Sequence, residues 1–315
     1  MAFAPTREAF GRTLAELGRE NPDIVVLEAD ISKSTRSSYF AKEMPERFFN
    51  VGVAEQNMMG IAAGMATCGK IPFCCTYAVF ASMRACEQVR TSVCYARQNV
   101  KIAASHGGVT PSNDGVTHQA TEDMGIMRGM PGMTVVMPAD WHSTVALVRA
   151  AAAHRGPVYI RLTRDAVPDI YADCDIFELG KARILRGGDD VTIVSIGEML
   201  SYSLEAAQAL KEKGLYAEVI DMHTVKPLDA ETLGQSLRRT RCAVTVEDHT
   251  IINGLGSAVC EFTAEKMPIP VKRVGIQDTF CESARYCELQ EKYGLSTQDI
   301  VQAALSVIER KNRRG

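Results

Sequence analysis

The chain has 315 residues, of which 46% are hydrophobic and 23% charged, with a formal net charge of -3 at pH 7. This length allows two ordinary domains, each able to bury its own core, and the composition is typical of a globular protein. We expect no nucleic-acid partner, because the chain has no strong excess of basic residues. We also expect no membrane partner, because no apolar run approaches the ~20 residues of a membrane span.

The ten cysteines could suggest a metal site or disulfides, but their spacing favours neither. They include the adjacent pair Cys74 and Cys75, and no C-x-x-C motif occurs. Most lie in apolar stretches, where a reduced cysteine behaves as a small core residue. With no signal peptide discernible at the N-terminus, we predict a cytoplasmic protein with no metal site of its own.

The first half of the chain alternates between helical segments and short apolar strands. Residues 6–20 place Phe10, Leu14 and Leu17 on one face of a helix, and a helix of small residues is predicted over 58–66. Strands are predicted at 24–27, 71–76, 100–104, 134–137 and 158–162. Because these strands are apolar without alternation, helices should cover both sheet faces, as in a doubly wound, mostly parallel α/β sheet.

A second, smaller α/β domain is predicted after a weakly patterned linker. We place the two domains at 1–170 and 178–315. The strands of the second are predicted at 191–196, 217–220, 243–247 and 271–274, before a final helix over 297–311. The whole chain is therefore expected to form two α/β domains in series.

Polar, cationic and aromatic residues follow the strands of the first domain. They are Ser34 after the first strand, Tyr77 and Phe80 after the second, His106 after the third, Asp114 and His118 in the loop over 105–119, and Arg164 after the last. Ligands bind beyond the carboxyl ends of the strands in an open parallel sheet, so these side chains should converge. Their chemistry predicts a site for a phosphorylated polyol.

One carboxylate is placed unusually. Glu55 begins a helix that is otherwise made almost wholly of small and apolar residues. A solvated glutamate favoured by the helix dipole is one interpretation. The apolar helix behind it favours the other, a partly buried carboxylate that acts as an acid or base.

Two motifs carry a resemblance to the transketolase family. Residues 52–57, Gly-Val-Ala-Glu-Gln-Asn, resemble the glutamate motif of its pyrimidine-binding domain. Residues 114–119, Asp-Gly-Val-Thr-His-Gln, resemble its sugar-site loop, and the likeness continues through both domains. The family's diphosphate-binding half, with its Gly-Asp-Gly motif, has no counterpart here. The chain thus resembles the C-terminal subunit of a split, two-chain transketolase that depends on thiamine diphosphate.

The resemblance assigns roles residue by residue. Glu55 would hydrogen-bond the aminopyrimidine ring and, with His106 and His118, would be catalytic. Tyr77 and Phe80 would pack on the pyrimidine. The substrate contacts would be His106, Asp114 and His118 on the sugar, and Arg7, Ser34 and Arg164 on its phosphate. Guanidinium groups and a hydroxyl suit a phosphate dianion, which supports this last assignment.

The resemblance also implies a partner and a reaction. A separate diphosphate-binding subunit would supply most of the Mg²⁺ contacts, and two chains of each kind would form an α2β2 heterotetramer. The reaction would transfer a two-carbon ketol unit from a ketose phosphate to an aldose phosphate. Departures from the family pattern at Ala54, Gln56 and residues 110–113 leave the natural sugars open.

Three alternatives remain open at the level of sequence. A deoxyxylulose-phosphate synthase shares similar motifs but is usually one long chain, and the β subunit of a 2-oxo-acid dehydrogenase resembles residues 105–119 less well. A non-catalytic stabilising subunit would need none of Glu55, His106 and His118. The polar string at residues 247–249, Glu-Asp-His, has no assigned chemistry, and helix capping or an interface role is the default expectation.

Overall fold

The computed structural model describes residues 3–313. Its strands are β1 (Phe3–Pro5), β2 (Ile24–Glu28), β3 (Phe48–Asn50), β4 (Ile71–Tyr77), β5 (Lys101–Ser105), β6 (Thr134–Val136), β7 (Val158–Arg161), β8 (Ala166–Pro168), β9 (Arg183–Arg186), β10 (Val191–Ser195), β11 (Ala217–Asp221), β12 (Thr224–Lys226), β13 (Ala243–Thr250) and β14 (Val271–Ile276). Each strand predicted from the sequence is present, and the short strands β1, β3, β8, β9 and β12 are additional.

Helices connect these strands. They are α1 (Thr6–Glu20), α2 (Ser32–Thr35), α3 (Ser38–Glu43), α4 (Glu55–Thr67), α5 (Cys86–Gln88), α6 (Asp123–Gly129), α7 (Trp141–Ala153), α8 (Met199–Glu212), α9 (Ala230–Thr240), α10 (Leu255–Lys266), α11 (Tyr286–Lys292) and α12 (Thr297–Asn312). Two π-helical turns, Phe80–Arg84 and Val89–Tyr95, flank α5. No helix in the described part of the chain combines the length and apolar character needed to cross a membrane.

The larger sheet has seven strands in the order β12-β6-β7-β5-β4-β2-β3. All of its neighbouring pairs are parallel except β12 with β6. The strands β2, β5 and β7 are buried at every residue, and separate apolar clusters pack on its two faces. This confirms the predicted doubly wound, mostly parallel sheet, whose central strands are apolar because neither face meets water.

The smaller sheet has five strands in the order β14-β13-β10-β11-β9. All pairs are parallel except β11 with β9. It encloses an apolar cluster of its own, to which α8 and α12 contribute. The second half of the chain also supplies β12 to the edge of the larger sheet, so the two halves are joined by a shared sheet as well as by packing.

Parallel pairing aligns the carboxyl ends of four strands of the larger sheet. Glu28 ends β2, Tyr77 ends β4, Ser105 ends β5 and Arg161 ends β7. The loops that follow these strands therefore start from one edge, which is where ligands bind in open α/β sheets.

Candidate active site

Glu55 begins α4 and is only 1% exposed. Its Oε1 accepts a hydrogen bond from Thr76 Oγ1 at 3.3 Å, and its Oε2 accepts one from Arg84 Nη1 at 2.8 Å. The interpretation of a solvated helix-start glutamate is therefore wrong. A carboxylate withdrawn from water and held by side-chain donors is a candidate for acid–base chemistry.

Sequence reasoning missed Arg84, the cation that pairs with Glu55. Its guanidinium lies over the ring of Phe80, 4.2 Å from the ring centre, and its side chain is 43% exposed. The i, i+4 spacing of Phe80 and Arg84 is a signal that could have found the stacked pair. The pairing of Arg84 with Glu55 depends on how the π-helical turn packs against α4, and the local sequence does not show this packing.

Four predicted residues form one aromatic cluster beside Glu55. The rings of Tyr77 and Phe80 stack with centres 6.0 Å apart. The imidazole of His106 lies 4.0 Å from the Tyr77 ring, and that of His118 lies 5.9 Å from Tyr77 and 5.6 Å from Phe80. The structure thus brings these side chains, from three separate segments, to the edge where the sequence places them.

His106 is held as a neutral imidazole. Arg7 Nη1 lies 3.3 Å from its Nε2, and since a guanidinium can only donate, Nε2 is the acceptor. Its Nδ1 then carries the hydrogen and donates to Ser105 Oγ at 2.9 Å. Burial, with the cations Arg7 and Arg164 nearby, lowers the pKa of His106 to about 2. This ring remains uncharged across the physiological range.

The cations of the site lie next to His106. Arg7 donates to the carbonyl oxygen of Ser34 at 2.9 Å, and Arg164 pairs with the carboxylate of Asp114 at 3.1 Å. Burial and the charges of Arg36 and Arg164 lower the pKa of Arg7. Mutual repulsion among guanidinium groups is relieved by an anion, so the cluster suits a phosphate or a similar dianion.

Two features of this cluster differ from expectation. Ser34 meets Arg7 through its backbone carbonyl, whereas the sequence suggested its hydroxyl. Asp114 and Arg164, predicted for the sugar and the phosphate respectively, form one ion pair. Arg36 was missed, because nothing in its local sequence reports its approach to Arg7.

Glu28, at the end of β2, is a second carboxylate that sequence reasoning missed. Its oxygens accept hydrogen bonds from Ala29 N at 3.1 Å, from Ile31 N at 3.3 Å and from the hydroxyls of Thr35 and Ser37. Burial raises the pKa of Glu28 to about 7. This carboxyl group shapes the turn that leads into α2, the helix that carries Ser34.

The polar string at the end of β13 has structural partners. Glu247 accepts hydrogen bonds from Leu255 N and Gly256 N, both at 2.7 Å, and so caps α10. His249 Nε2 accepts one from Gly125 N at 3.2 Å. Helix capping, one of the two default expectations, is observed for Glu247, and His249 bonds an element of the first half of the chain. Within residues 3–313, no three His, Cys, Asp or Glu side chains are grouped to hold a metal ion.

Comparison with known families identifies both halves of the chain. The transketolase pyrimidine-binding domain matches residues 4–169, and the transketolase C-terminal domain matches residues 180–300. The likeness therefore spans both sheets of the structure.

Individual relatives match almost end to end. The 6-deoxy-6-sulfo-D-fructose transketolase subunit SqwH of a Clostridium species is 45% identical, over 98% of this chain and 96% of that protein. One of the subunits of the apulose-4-phosphate transketolase of Phocaeicola vulgatus is 39% identical, over 96% of this chain and 97% of that protein.

Among solved structures, a split-gene transketolase described as an inactive β4 tetramer is 51% identical, with a TM-score of 0.91. The match covers 98% of this chain and 100% of that one. This chain therefore belongs to the transketolase family and corresponds to the C-terminal subunit of its split, two-chain members.

Proposed function

We propose that this chain supplies the pyrimidine side of a thiamine-diphosphate site and the sugar-phosphate site of a transketolase. The reaction is transfer of a two-carbon ketol unit from a ketose phosphate to an aldose phosphate. The observation that carries the proposal is the meeting of Glu55, Tyr77, Phe80, His106 and His118 at one edge of the larger sheet.

The residues of this edge fit the aminopyrimidine of thiamine diphosphate. Glu55 is a buried carboxylate able to share a proton with a ring nitrogen through an Oε atom, and the stacked rings of Tyr77 and Phe80 offer an aromatic surface. Arg84 now bonds Glu55 Oε2, so it must share or release that oxygen when a ring nitrogen approaches it. Thiamine diphosphate, when bound, supplies the electron sink for carbon–carbon bond cleavage. The protein contributes orientation and proton transfer at Glu55.

The imidazoles and cations beside this surface suit an anionic sugar. His106 and His118 can bond hydroxyl and carbonyl groups next to the reacting carbon, and Asp114 can accept from a hydroxyl. Arg7 and Arg164 would hold the phosphate at the far end. Two relatives are named for a sulfonated sugar and for apulose 4-phosphate. Sulfonate and phosphate are both tetrahedral anions that guanidinium groups bind well.

The proposal includes a second subunit that holds the diphosphate and supplies most of the Mg²⁺ contacts, in an α2β2 assembly. The similar split-gene transketolase is described as inactive when it is a tetramer of β chains, which supports a need for the other subunit. The ten free thiols suit a reducing, cytoplasmic compartment.

The test is ketol transfer from xylulose 5-phosphate to ribose 5-phosphate with thiamine diphosphate and Mg²⁺. It compares the chain alone with the chain co-expressed with a candidate diphosphate-binding subunit. We expect activity only in the mixture, and its loss in Glu55→Gln. Activity of the chain alone would contradict the need for a partner.

Further donors separate the alternatives. A mixture that uses only pyruvate with glyceraldehyde 3-phosphate would identify a deoxyxylulose-phosphate synthase. Oxidative transfer from a branched 2-oxo acid would instead identify a dehydrogenase subunit. A stable complex in which Glu55→Gln has no effect on any of these reactions would support a stabilising subunit.

A further inference from the structure

Asp248, in β13 of the smaller sheet, is buried against the loop that carries His106. Its two carboxylate oxygens accept the backbone N–H of Val109 at 3.2 and 3.1 Å. Gly108 adopts a φ of +61°, and a Cβ at this position would overlap the Asp248 carboxylate. The loop backbone therefore lies directly on Asp248, with no side chain between them.

The hydrogen bond to Asp248 differs from the others in this loop. The remaining backbone donors of residues 107–110 bond within the first half of the chain: Gly107 to Leu162, Gly108 to Ala120 and Thr110 to Gly107. Among the backbone N–H groups of residues 107–110, that of Val109 bonds to an acceptor in the second half of the chain. A buried N–H without a partner is unfavourable, so this bond helps to determine where the loop lies.

Glu198, which follows β10, is a second buried carboxyl group near Asp248. No hydrogen bond reaches its oxygens within the described residues. Burial raises the pKa of both groups, and that of Glu198, near the Asp248 charge, is raised well above its usual value. A neutral Glu198 does not repel the Asp248 carboxylate, which accepts the hydrogen bond from Val109.

The buried cation Arg161 completes this arrangement. It donates to the carbonyl oxygens of Ala120 at 2.8 Å and of Asp248 at 2.9 Å, and to the Asp123 carboxylate at 2.9 Å. A Cβ on Gly107 would overlap the Arg161 side chain. The segment after His106 therefore packs on two buried charged groups, one from each half of the chain.

We propose that Asp248 is a positioning residue for His106, through which the second half of the chain sets the geometry of the sugar site. The inference rests on the proposed function, because that function places His106 at the reacting sugar. His106 itself has a φ of +63°, which is unfavourable for a residue other than glycine. Such a conformation persists where its surroundings hold it, here β5 on one side and the Val109 bond on the other.

The test compares substitutions that keep or remove this bond in the complex with the diphosphate-binding subunit. Asp248→Asn keeps an acceptor for Val109 in a side chain of nearly the same size, whereas Asp248→Leu keeps the branched shape of the side chain but removes the acceptor. Thr245→Val is the matched control, since the buried Thr245 hydroxyl on the same strand has no partner in the described residues. If Asp248→Leu does not fold, Asp248→Ser replaces it, because a serine is too short to reach Val109.

We expect kcat to fall about 100-fold in Asp248→Leu, a loss that misplacing a catalytic group by about 1 Å can cause. Asp248→Asn should retain kcat within about threefold, Thr245→Val should be unchanged, and cofactor affinity should stay the same in all three. Hydrogen–deuterium exchange of the peptide over 105–112 should accelerate in Asp248→Leu alone.

Unchanged kcat and unchanged exchange in Asp248→Leu or Asp248→Ser would overturn the inference, as would equal loss in Asp248→Asn. The exchange measurement does not depend on catalysis. A wild-type complex without transfer activity would therefore refute the proposed function, while the exchange comparison would still decide whether Asp248 holds the loop.

Discussion

The two sheets both end in charged side chains, but the two edges differ in what those side chains bond. At the larger sheet, the partly exposed Arg7 and Arg164 make one edge accessible, and with the buried His106 they mainly meet other side chains or single carbonyls. At the smaller sheet, Glu247 and Asp248 are fully buried and accept backbone N–H groups of other elements. Polar strand ends therefore do not identify a site by themselves.

The two edges also carry opposite charges. The accessible edge gathers guanidinium groups whose repulsion an anionic ligand can relieve. The buried edge gathers carboxyl groups that are compensated internally, by backbone N–H groups and by the nearby charge of Arg161. A binding site leaves hydrogen-bond donors and charges that a ligand can still engage, whereas in an interface the donors and acceptors bond to each other within the chain.

The strongest test of the accessible edge is Glu55→Gln. The amide keeps the shape of the side chain but cannot share a proton in the same way, so we expect kcat to fall by about 100- to 10,000-fold. Ketol-transfer assays of the complex would measure this, with thermal unfolding as the check on folding. Glu87→Gln, at an exposed position, is the control; a near-normal kcat in Glu55→Gln would remove the acid–base role.

The corresponding test of buried charge is Asp123→Asn, because Asp123 pairs with Arg161, the cation that also bonds the carbonyl oxygen of Asp248. Asp123 accepts hydrogen bonds from Arg161 and from the hydroxyl of Tyr159 at 2.6 Å, and both ionic partners are fully buried. Loss of the carboxylate leaves a buried cation poorly compensated, and we expect a loss of about 3 kcal/mol in the free energy of unfolding. Urea titration would measure it. Asp23→Asn, which breaks an exposed pair with Lys70, should change little.

A smaller, substrate-specific effect is expected for Arg164→Ala. Removing one guanidinium from the anion cluster should raise the KM for phosphorylated acceptors about tenfold or more, with a lesser change in kcat. Steady-state kinetics with a phosphorylated and a non-phosphorylated aldose would separate the two. Arg155→Ala, at an exposed position, serves as the control. Equal effects on both acceptors would contradict a phosphate role.

The smallest effect concerns pH. His106 stays neutral in the folded chain, since its pKa is lowered to about 2, whereas it takes up a proton near pH 6.5 when unfolded. The unfolded state then binds more protons, so this residue's stabilising contribution falls as pH drops below 6.5. Between about pH 6.5 and about pH 5.5 we expect wild type to lose about 1 kcal/mol more than His106→Asn. Equal losses in urea titrations at both pH values would show that His106 is accessible to protons.

Much of the fold was predictable because its signals are local. Apolar runs without alternation predicted the buried parallel strands, and the apolar residues around Glu55 favoured its burial. The convergence of Tyr77, His106 and His118 followed from one topological rule, that parallel strands end at the same edge. Their catalytic and binding roles remain predictions.

By itself, the sequence determined the two α/β units, the family and the residues that follow each strand. The reason is that periodicity, motifs and strand direction are properties of consecutive residues. Only the tertiary structure decided which of these polar side chains remain free to bind a ligand and which are bonded within the chain. Contacts between segments far apart in sequence join Arg84 to Glu55 and Asp248 to Val109, and folding brings the charge of Arg36 near Arg7. The physical reason is that burial and hydrogen bonding belong to pairs of groups, and distant pairs exist only once the chain has folded.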